Sequence, residues 1–292
     1  MAAQTIHHAR SNSFPLPSRP NPLVSELDEH LNRLRDSEAT STSSSISHKL
    51  NGLQDLYDCV DKLLRLPFSQ QELAQEENKG PVDELLDGPL RLFDLCNTAK
   101  DILLQTKGSI QDIQSVMRRR PCGEVKLVGE VRKYFTSRKV VQKTIHKALK
   151  TVKGVETKCI FSSSNDHETK AMVSLLREAE AVTSSMFEYL FTLISGPMER
   201  SKCGSWALVS KLLHHKRIAC EQTGRRDINE FEKVDAALRS VMSQKMSKSE
   251  NVEMPRQLKE LELCVQDLED GLECLFRCMI KARVSLLNAL NH

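Results

Sequence analysis

The most regular hydrophobic pattern of the sequence lies in residues 255–290. Apolar residues recur there at alternating intervals of three and four residues, which is the period of one helix face. The positions are Leu258, Leu261, Val265, Leu268, Leu272, Leu275, Met279, Ala282, Leu286 and Ala289. The spacing predicts a long, coiled-coil-like helix with a core-facing seam. Beyond Gly271 further apolar side chains widen the stripe, so we expect this helix to pack inside a bundle of the chain's own helices. They are Phe276, Ile280, Val284, Leu287 and Leu290.

The helical period recurs through most of the remaining chain. Glycine and proline number only 11 and 10 among 292 residues, so turns are few and these residues mark helix ends. The predicted breaks lie at Pro67, Gly80-Pro81, Pro121, Gly196-Pro197 and Pro255. The pattern predicts further helices near 48–64, 92–117, 126–152, 172–193, 204–220 and 227–246. We therefore predict an all-α fold, arranged as an elongated antiparallel helical bundle.

The first 47 residues differ in composition from the rest. Residues 1–22 are rich in serine and proline, and the tract Ser37–Ser47 has almost no side chain that can join a core. We therefore predict a disordered region over 1–47, followed by one all-helical domain over 48–292. A single short helix is predicted within the first region, on the apolar positions Val24, Leu27, Leu31 and Leu34.

The sequence also bears on the compartment. No segment has the roughly 18 to 20 consecutive apolar residues of a transmembrane helix, and no hydrophobic secretory leader is recognisable. The basic, acid-free N-terminus faintly resembles a transit peptide, but four prolines between residues 15 and 22 disfavour the amphipathic helix that plastid targeting needs. Nine scattered cysteines, an odd number, are typical of reduced thiols. We expect a cytoplasmic protein, with or without membrane association.

Charge is distributed unevenly along the chain. Lys and Arg number 42 against 39 Asp and Glu, a net charge of +3. Residues 118–158 hold 13 basic and 3 acidic residues, hence +10, whereas residues 46–117 hold 7 basic and 12 acidic residues, hence −5. These blocks can pair inside the bundle, or the basic helix can present an exposed surface to an anionic membrane or an acidic protein. The candidate residues for such a surface are Lys126, Arg132, Lys133, Arg138, Lys139, Lys143, Lys147 and Lys150.

Nucleic acid is a weaker candidate partner for the basic helix. Single-stranded nucleic acid is bound by aromatic side chains that stack on bases between the cations. Only Tyr134 and Phe135 interrupt the basic residues, and no major-groove motif is recognisable. The basic amphipathic pattern fits an anionic membrane surface better.

A phosphorylation motif lies near the N-terminus. Arg10-Ser11-Asn12-Ser13-Phe14-Pro15 matches the R-S-x-S-x-P pattern that 14-3-3 proteins bind once the second serine is phosphorylated. Arginine three residues upstream suits a basophilic kinase, and the phosphate then supplies charge for an arginine cluster. The alternative is a chance match in a serine-rich tail.

Motifs of known chemistry are missing from the sequence. There is no Walker phosphate loop, no G-x-S-x-G elbow, no H-E-x-x-H and no kinase H-R-D. The pair His214-His215 stands beside Lys216 and Arg217, which is typical of a solvated helix end rather than of a metal site. We therefore predict no catalytic residue, no cofactor and no metal, and expect that the protein is not an enzyme.

Several stretches together resemble a plant-specific family of unknown function, the BYPASS-related proteins. The resemblance extends over nearly the whole chain and is strongest at the C-terminal block. The matching stretches are Arg10–Pro15, Leu31–Arg35, Leu193–Pro197, Trp206–Lys211, Asp267–Arg277 and Arg283–Asn288. The resemblance implies an association with root and shoot development and no established catalytic activity.

These observations favour a non-catalytic helical interaction or regulatory protein of plant development, with unidentified protein partners. The second interpretation is a peripheral membrane scaffold that uses the basic helix over 126–158. An enzyme of unrecognised class is the third. The first two differ in whether the cations of this helix are exposed.

Overall fold

A computed structural model describes residues 21–36, 43–74, 79–119, 124–153, 167–196, 228–243 and 248–291. All regular structure in these ranges is helical, which confirms the predicted all-α fold. The helices are α1 (Pro22–Asp36), α2 (Ser43–Leu64), α3 (Pro67–Ala74), α4 (Lys79–Arg118), α5 (Glu124–Lys153), α6 (His167–Ser195), α7 (Glu230–Met242) and α8 (Lys248–Leu290).

Helix α8 lies at the centre of the bundle and packs against α2, α3, α4 and α7. The predicted seam is confirmed, because all ten of its residues are buried. The predicted widening of the stripe is wrong for Ile280 and Val284, which are 41% and 49% exposed. They lie on the one stripe of α8 that faces solvent. Phe276 does join the core and packs edge-on against Phe93 of α4, with ring centroids 5.3 Å apart.

The neighbours of α8 run in both directions along it. Gln54 of α2 donates from Nε2 to the carbonyl oxygen of Gly271 at 3.3 Å. Farther along both helices, by about two turns in α2 and four turns in α8, Asp61 accepts a hydrogen bond from Ser285 Oγ at 2.6 Å. Helix α2 therefore runs parallel to α8, whereas the polar contacts of α4 with α8, given below, run antiparallel.

The short helix α1 belongs to the same core as the rest of the bundle. Leu27 and Leu31 are fully buried, and α1 packs against α2 and α6. Gly52 of α2 permits a close approach here, since a Cβ at this position would lie 2.9 Å from Leu34 Cδ2. The prediction of disorder through Ser47 is wrong for its last five residues, because α2 begins at Ser43.

Some of the predicted helix breaks coincide with helix ends in the structure, and others do not. Pro67 ends α2 and begins α3, and α6 ends at Ser195 with Gly196 in a left-handed conformation at φ +65°. The break predicted at Gly80-Pro81 coincides with the start of α4 at Lys79, whereas Pro255 is not a break, because it lies inside α8. Pro81 is in the first turn, where a helical N–H has no carbonyl partner to lose.

The ring of Pro255 is exposed, so the helix accommodates it at the loss of one hydrogen bond. The predicted break at Pro121 and the predicted helix near 204–220 lie outside the described residues.

Candidate functional site

Helix α5 has a buried seam that fixes which of its faces meets solvent. Val131, Tyr134, Arg138, Val141 and Ile145 are buried, at intervals of three and four residues. The helix packs against α4, α6 and α7. Because this seam uses the apolar half of the helix, the opposite half is left to solvent.

The solvent-facing half of α5 carries a row of cations that we call the cationic ridge. Its members are Arg132, Lys139, Lys143, Lys147 and Lys150, all exposed. Their spacing keeps them within about 80° of one another around the helix, and the row is about 27 Å long at 1.5 Å per residue. Lys126 and Lys133 flank the ridge and are also exposed. An anionic binding surface requires this exposure, while the binding itself stays a prediction.

In the described part of the chain, the ridge is not paired with the acidic helices of 46–117. Among the described residues, no ion pair joins a ridge cation to a carboxylate. Lys133 is the flanking exception, with its Nζ 2.8 Å from Glu130 Oε1 on the same helix. That hydrogen bond and the charge of Glu130 raise the pKa of Lys133. The expectation that +10 and −5 blocks pair inside the bundle is therefore wrong for the ridge.

Ion pairs between helices do join α4 to α8. Lys107 Nζ lies 2.7 Å from Glu269 Oε2, and Lys100 pairs with Glu273. These contacts run in opposite sequence order along the two helices, so α4 and α8 are antiparallel. Acids of α8 thus pair with two cations of α4 and not with those of the ridge.

The prediction that Arg138 belongs to an anionic-binding surface is wrong, because this residue is buried, with only 4% of its surface exposed. Its Nη2 lies 2.9 Å from Asp235 Oδ2 of α7, and its Nε lies 3.2 Å from Oδ1. Its Nη1 donates to the carbonyl oxygen of Ile194 at 2.7 Å. Arg138 therefore ties α5 to α7 and covers the carbonyl end of α6, where a helix dipole favours a cation.

Two neighbours complete this buried cluster. The hydroxyl of Tyr134 donates to Asp235 Oδ1 at 2.7 Å. Burial, together with the charge of Asp235, raises the pKa of Tyr134 well above its ordinary value, so the phenol stays protonated. Gln142 donates to the carbonyl oxygen of Ser195 at 3.3 Å. The cluster is structural, since its polar groups are directed at one another and at the end of α6.

The sequence held a signal for this cluster. Arg138 occupies the same three-and-four spacing as Val131 and Ile145, and Asp235 stands among the apolar positions Phe231 and Leu238 of α7. An opposite-charge pair at core-facing positions of two helices is the pattern of a buried ion pair. Counting basic residues does not reveal this ion pair, because the count assigns every cation of the helix to the surface.

The remaining predictions about sites concern other parts of the chain. Arg10, Ser11, Ser13 and Pro15 of the phosphorylation motif lie outside the described residues. In the described part of the chain, no cluster of His, Cys, Asp and Glu is arranged to hold a metal. No helix of that part is both long and apolar enough to cross a bilayer.

Three comparisons with known proteins bear on identity. A family model described as Protein BPS1 matches residues 49–289. This agrees with the resemblance to BYPASS-related proteins. The comparison with curated proteins gave no match, and neither did the comparison with solved structures.

Proposed function

The chain belongs to the Protein BPS1 family, and from this membership and the exposed cations of α5 we propose a non-catalytic interaction protein of plant development that docks on anionic membrane surfaces. The observation that carries the proposal is the cationic ridge, Arg132 to Lys150, which is exposed and has no carboxylate partner among the described residues. The association with root and shoot development comes from the resemblance to the BYPASS-related family. The docking surface comes from the geometry of α5.

The geometry supports a membrane held by charge rather than by insertion. The apolar seam of α5 is occupied by the bundle, and Val125 and Val140 are single exposed apolar side chains rather than a continuous face that could be buried in lipid. Each basic residue near an anionic leaflet contributes about 1 kcal/mol. Five cations in a straight row can approach a planar surface together, which supports reversible, salt-sensitive binding.

The two aromatic residues of α5 weaken the case for nucleic acid. Tyr134 is buried, and Phe135 is half-buried against it with ring centroids 5.4 Å apart. The guanidinium of Arg239 from α7 covers the Phe135 ring, with 5.8 Å between Cζ and the ring centroid. Neither ring is free to stack on a base, and base stacking is what single-strand binding needs.

Vesicle flotation tests the proposal. The full chain is mixed with phosphatidylcholine vesicles that contain or lack roughly 30% phosphatidylserine. We expect flotation with the anionic vesicles only, and its loss in high salt. The variant Lys139→Gln/Lys143→Gln/Lys147→Gln should weaken binding by about 10- to 100-fold, since it removes three cations from the ridge.

A matched control removes three exposed cations elsewhere. Lys62→Gln/Lys233→Gln/Lys281→Gln changes the net charge equally but leaves the ridge intact. It should keep most of the binding, and in plants lacking the gene it should restore root and shoot growth where the ridge variant does not. Failure of the unaltered chain to float at low salt, or equal losses in the two variants, would remove the membrane proposal and leave an acidic protein as the partner of the ridge.

A further inference from the structure

The outer face of α4 carries a row of acids that we call the acidic row. Its members are Asp94, Asp101 and Asp112, all exposed. Their spacing along the chain keeps them within about 20° of one another around the helix. The lysines of the same stretch, Lys100 and Lys107, are turned to α8, where each pairs with a glutamate. The acidic row joins no ion pair within the described residues, so its charge is left to solvent.

The acidic row lies alongside the cationic ridge of α5. Ser109 Oγ of α4 lies 3.5 Å from Ser137 Oγ of α5. The hydrogen bond to Glu130 and the charge of that residue raise the pKa of Lys133, and the charge of Asp112 adds to them. Because Asp112 follows Ser109 on α4 while Lys133 precedes Ser137 on α5, the two helices are antiparallel neighbours.

The acidic row and the ridge match in length and in height along the bundle. Both extend over about 27 Å at 1.5 Å per residue. Counted from the contact of Ser109 with Ser137 at equal rise per residue, acids and cations stand at common heights. The groups are Asp112 with Arg132 and Lys133, Asp101 with Lys143 and Lys147, and Asp94 with Lys150.

The strip between the two rows has short side chains. Val140 and Thr144 lie on the side of α5 that turns from the ridge towards Ser137, and both are exposed. Val140, at 49% exposure, gives the strip an apolar side chain near its middle. The face thus has acids along one edge, cations along the other and nothing bulky between them, which lets another helix pair approach closely.

We propose that this face binds a second copy of the chain, so that the acidic row of each copy lies against the cationic ridge of the other. A twofold axis parallel to the helices, between α4 and α5, gives this arrangement because it exchanges the two rows and leaves their heights unchanged. An axis across the helices would place each row against the same row of the other copy, where like charges repel. The charges therefore specify one orientation of the dimer.

The size of this face predicts a weak, reversible dimer. Two neighbouring helices present a strip roughly 20 Å wide and 27 Å long, which buries about 1,000 Å² in total from the two copies. That area is the lower limit for a specific interface. Exposed charge pairs add little affinity but favour one orientation. The dimer covers the ridge, so the copies have to separate before the ridge meets a membrane.

Sedimentation velocity of the full chain at low salt tests the dimer. We expect a Kd of roughly 10–100 μM, weakened about tenfold in high salt. The acidic-row variant Asp94→Lys/Asp101→Lys/Asp112→Lys makes both edges of the face basic. It should weaken self-association at least about 100-fold, because like charges then meet at every height.

A complementary variant reverses the ridge. Lys139→Glu/Lys143→Glu/Lys147→Glu makes both edges of the face acidic, so on its own it should also weaken self-association at least about 100-fold. A mixture of the two reversed variants should form heterodimers with a Kd within about tenfold of that of the unaltered chain, because each row again meets an opposite charge. This recovery distinguishes a direct contact between the rows from an effect of net charge.

A matched control reverses three exposed acids elsewhere. Asp28→Lys/Asp55→Lys/Asp267→Lys changes the net charge as the acidic-row variant does, and its Kd should stay within about threefold of that of the unaltered chain. Thermal melts by circular dichroism show whether the reversed variants fold. If one does not, the single exchanges Asp101→Lys and Lys143→Glu provide the same test.

Three outcomes would overturn the proposal. They are an unaltered chain that stays monomeric up to about 500 μM, equal weakening by the acidic-row and control variants, and a mixture of folded reversed variants without heterodimers. None of these measurements uses a membrane, so their result is independent of the vesicle experiment.

Discussion

Helices α5 and α8 have the same apolar rhythm but use their charges in different ways. Both bury a seam spaced at three and four residues, and both carry charged residues on their other faces. The glutamates of α8 pair with the lysines of α4, as in the contact of Lys107 with Glu269. The lysines of the cationic ridge pair with no described carboxylate, while the buried Arg138 of the same helix has a partner at each of its three guanidinium nitrogens.

This difference teaches that a cation's position around the helix matters more than the charge of its segment. Arg138 lies on the buried seam and holds three helices together. Arg132 and Lys139 lie on the outer face of the same helix and hold none of the described helices. Residues counted together as a +10 block thus divide into one structural cation and a surface that is available to a partner.

The largest expected effect comes from breaking the buried pair. Arg138→Met leaves the Asp235 carboxylate buried without its cation and the Ile194 carbonyl without its donor. Removing one partner of a buried pair costs about 3–5 kcal/mol of unfolding free energy. Urea denaturation followed by circular dichroism measures the loss.

A second substitution on α5 provides the control for this experiment. Arg132→Met removes an exposed cation from the same helix and should change the unfolding free energy by no more than about 0.5 kcal/mol. The double variant Arg138→Met/Asp235→Leu should recover part of the loss, because no buried charge is then left alone. Equal costs for Arg132→Met and Arg138→Met would contradict the division of α5 into two faces.

The next effect concerns a half-buried acid of α6, Glu180, and measures the free energy that burial costs its charged form. Burial raises the pKa of Glu180 to about 7 against the opposing charges of Arg91 and Arg177. Since the ordinary value is 4.5, the folded chain holds this proton more tightly than the unfolded chain. The resulting stabilisation is complete below pH 4.5 and is lost as the pH rises through about 7.

The neutral variant Glu180→Gln tests this pH dependence. It should remove the decline in melting temperature between these pH values and be more stable than the unaltered chain above pH 7, by on the order of 2–3 kcal/mol. Glu188→Gln, on the same helix, serves as the control and should keep the decline. Melting curves of the unaltered chain and Glu180→Gln that stay parallel from pH 4 to 8 would contradict the raised pKa.

The contrast between the two helices also explains which features of the fold can be predicted from the sequence and which cannot. The seam of α8 was predictable residue by residue, because apolar side chains at that spacing have only one favourable place. Arg138 was misassigned and Asp235 was overlooked, since a charged residue on a seam looks like a surface residue until its partner is known. The buried Lys49 of α2 was missed for the same reason. Pairing between helices depends on which helices are neighbours, and one-dimensional periodicity does not contain that information.

The smallest expected effects are changes in unfolding free energy of opposite sign, because removing one charge should destabilise the chain at α8 and stabilise it at α5. Glu269→Gln removes an acid of α8 from its half-buried contact with Lys107 and should lower the unfolding free energy by about 1 kcal/mol.

Lys143→Gln removes a cation that stands between Lys139 and Lys147, each four residues away. It should raise the unfolding free energy by about 0.2–0.5 kcal/mol, because like charges at that spacing repel. Both changes in unfolding free energy should be smaller in high salt, which screens charge interactions. A loss of stability from Lys143→Gln equal to that from Glu269→Gln would mean that the ridge is part of the fold. A gain means that the ridge lowers the stability of the fold, so its cations are not part of what holds the bundle together.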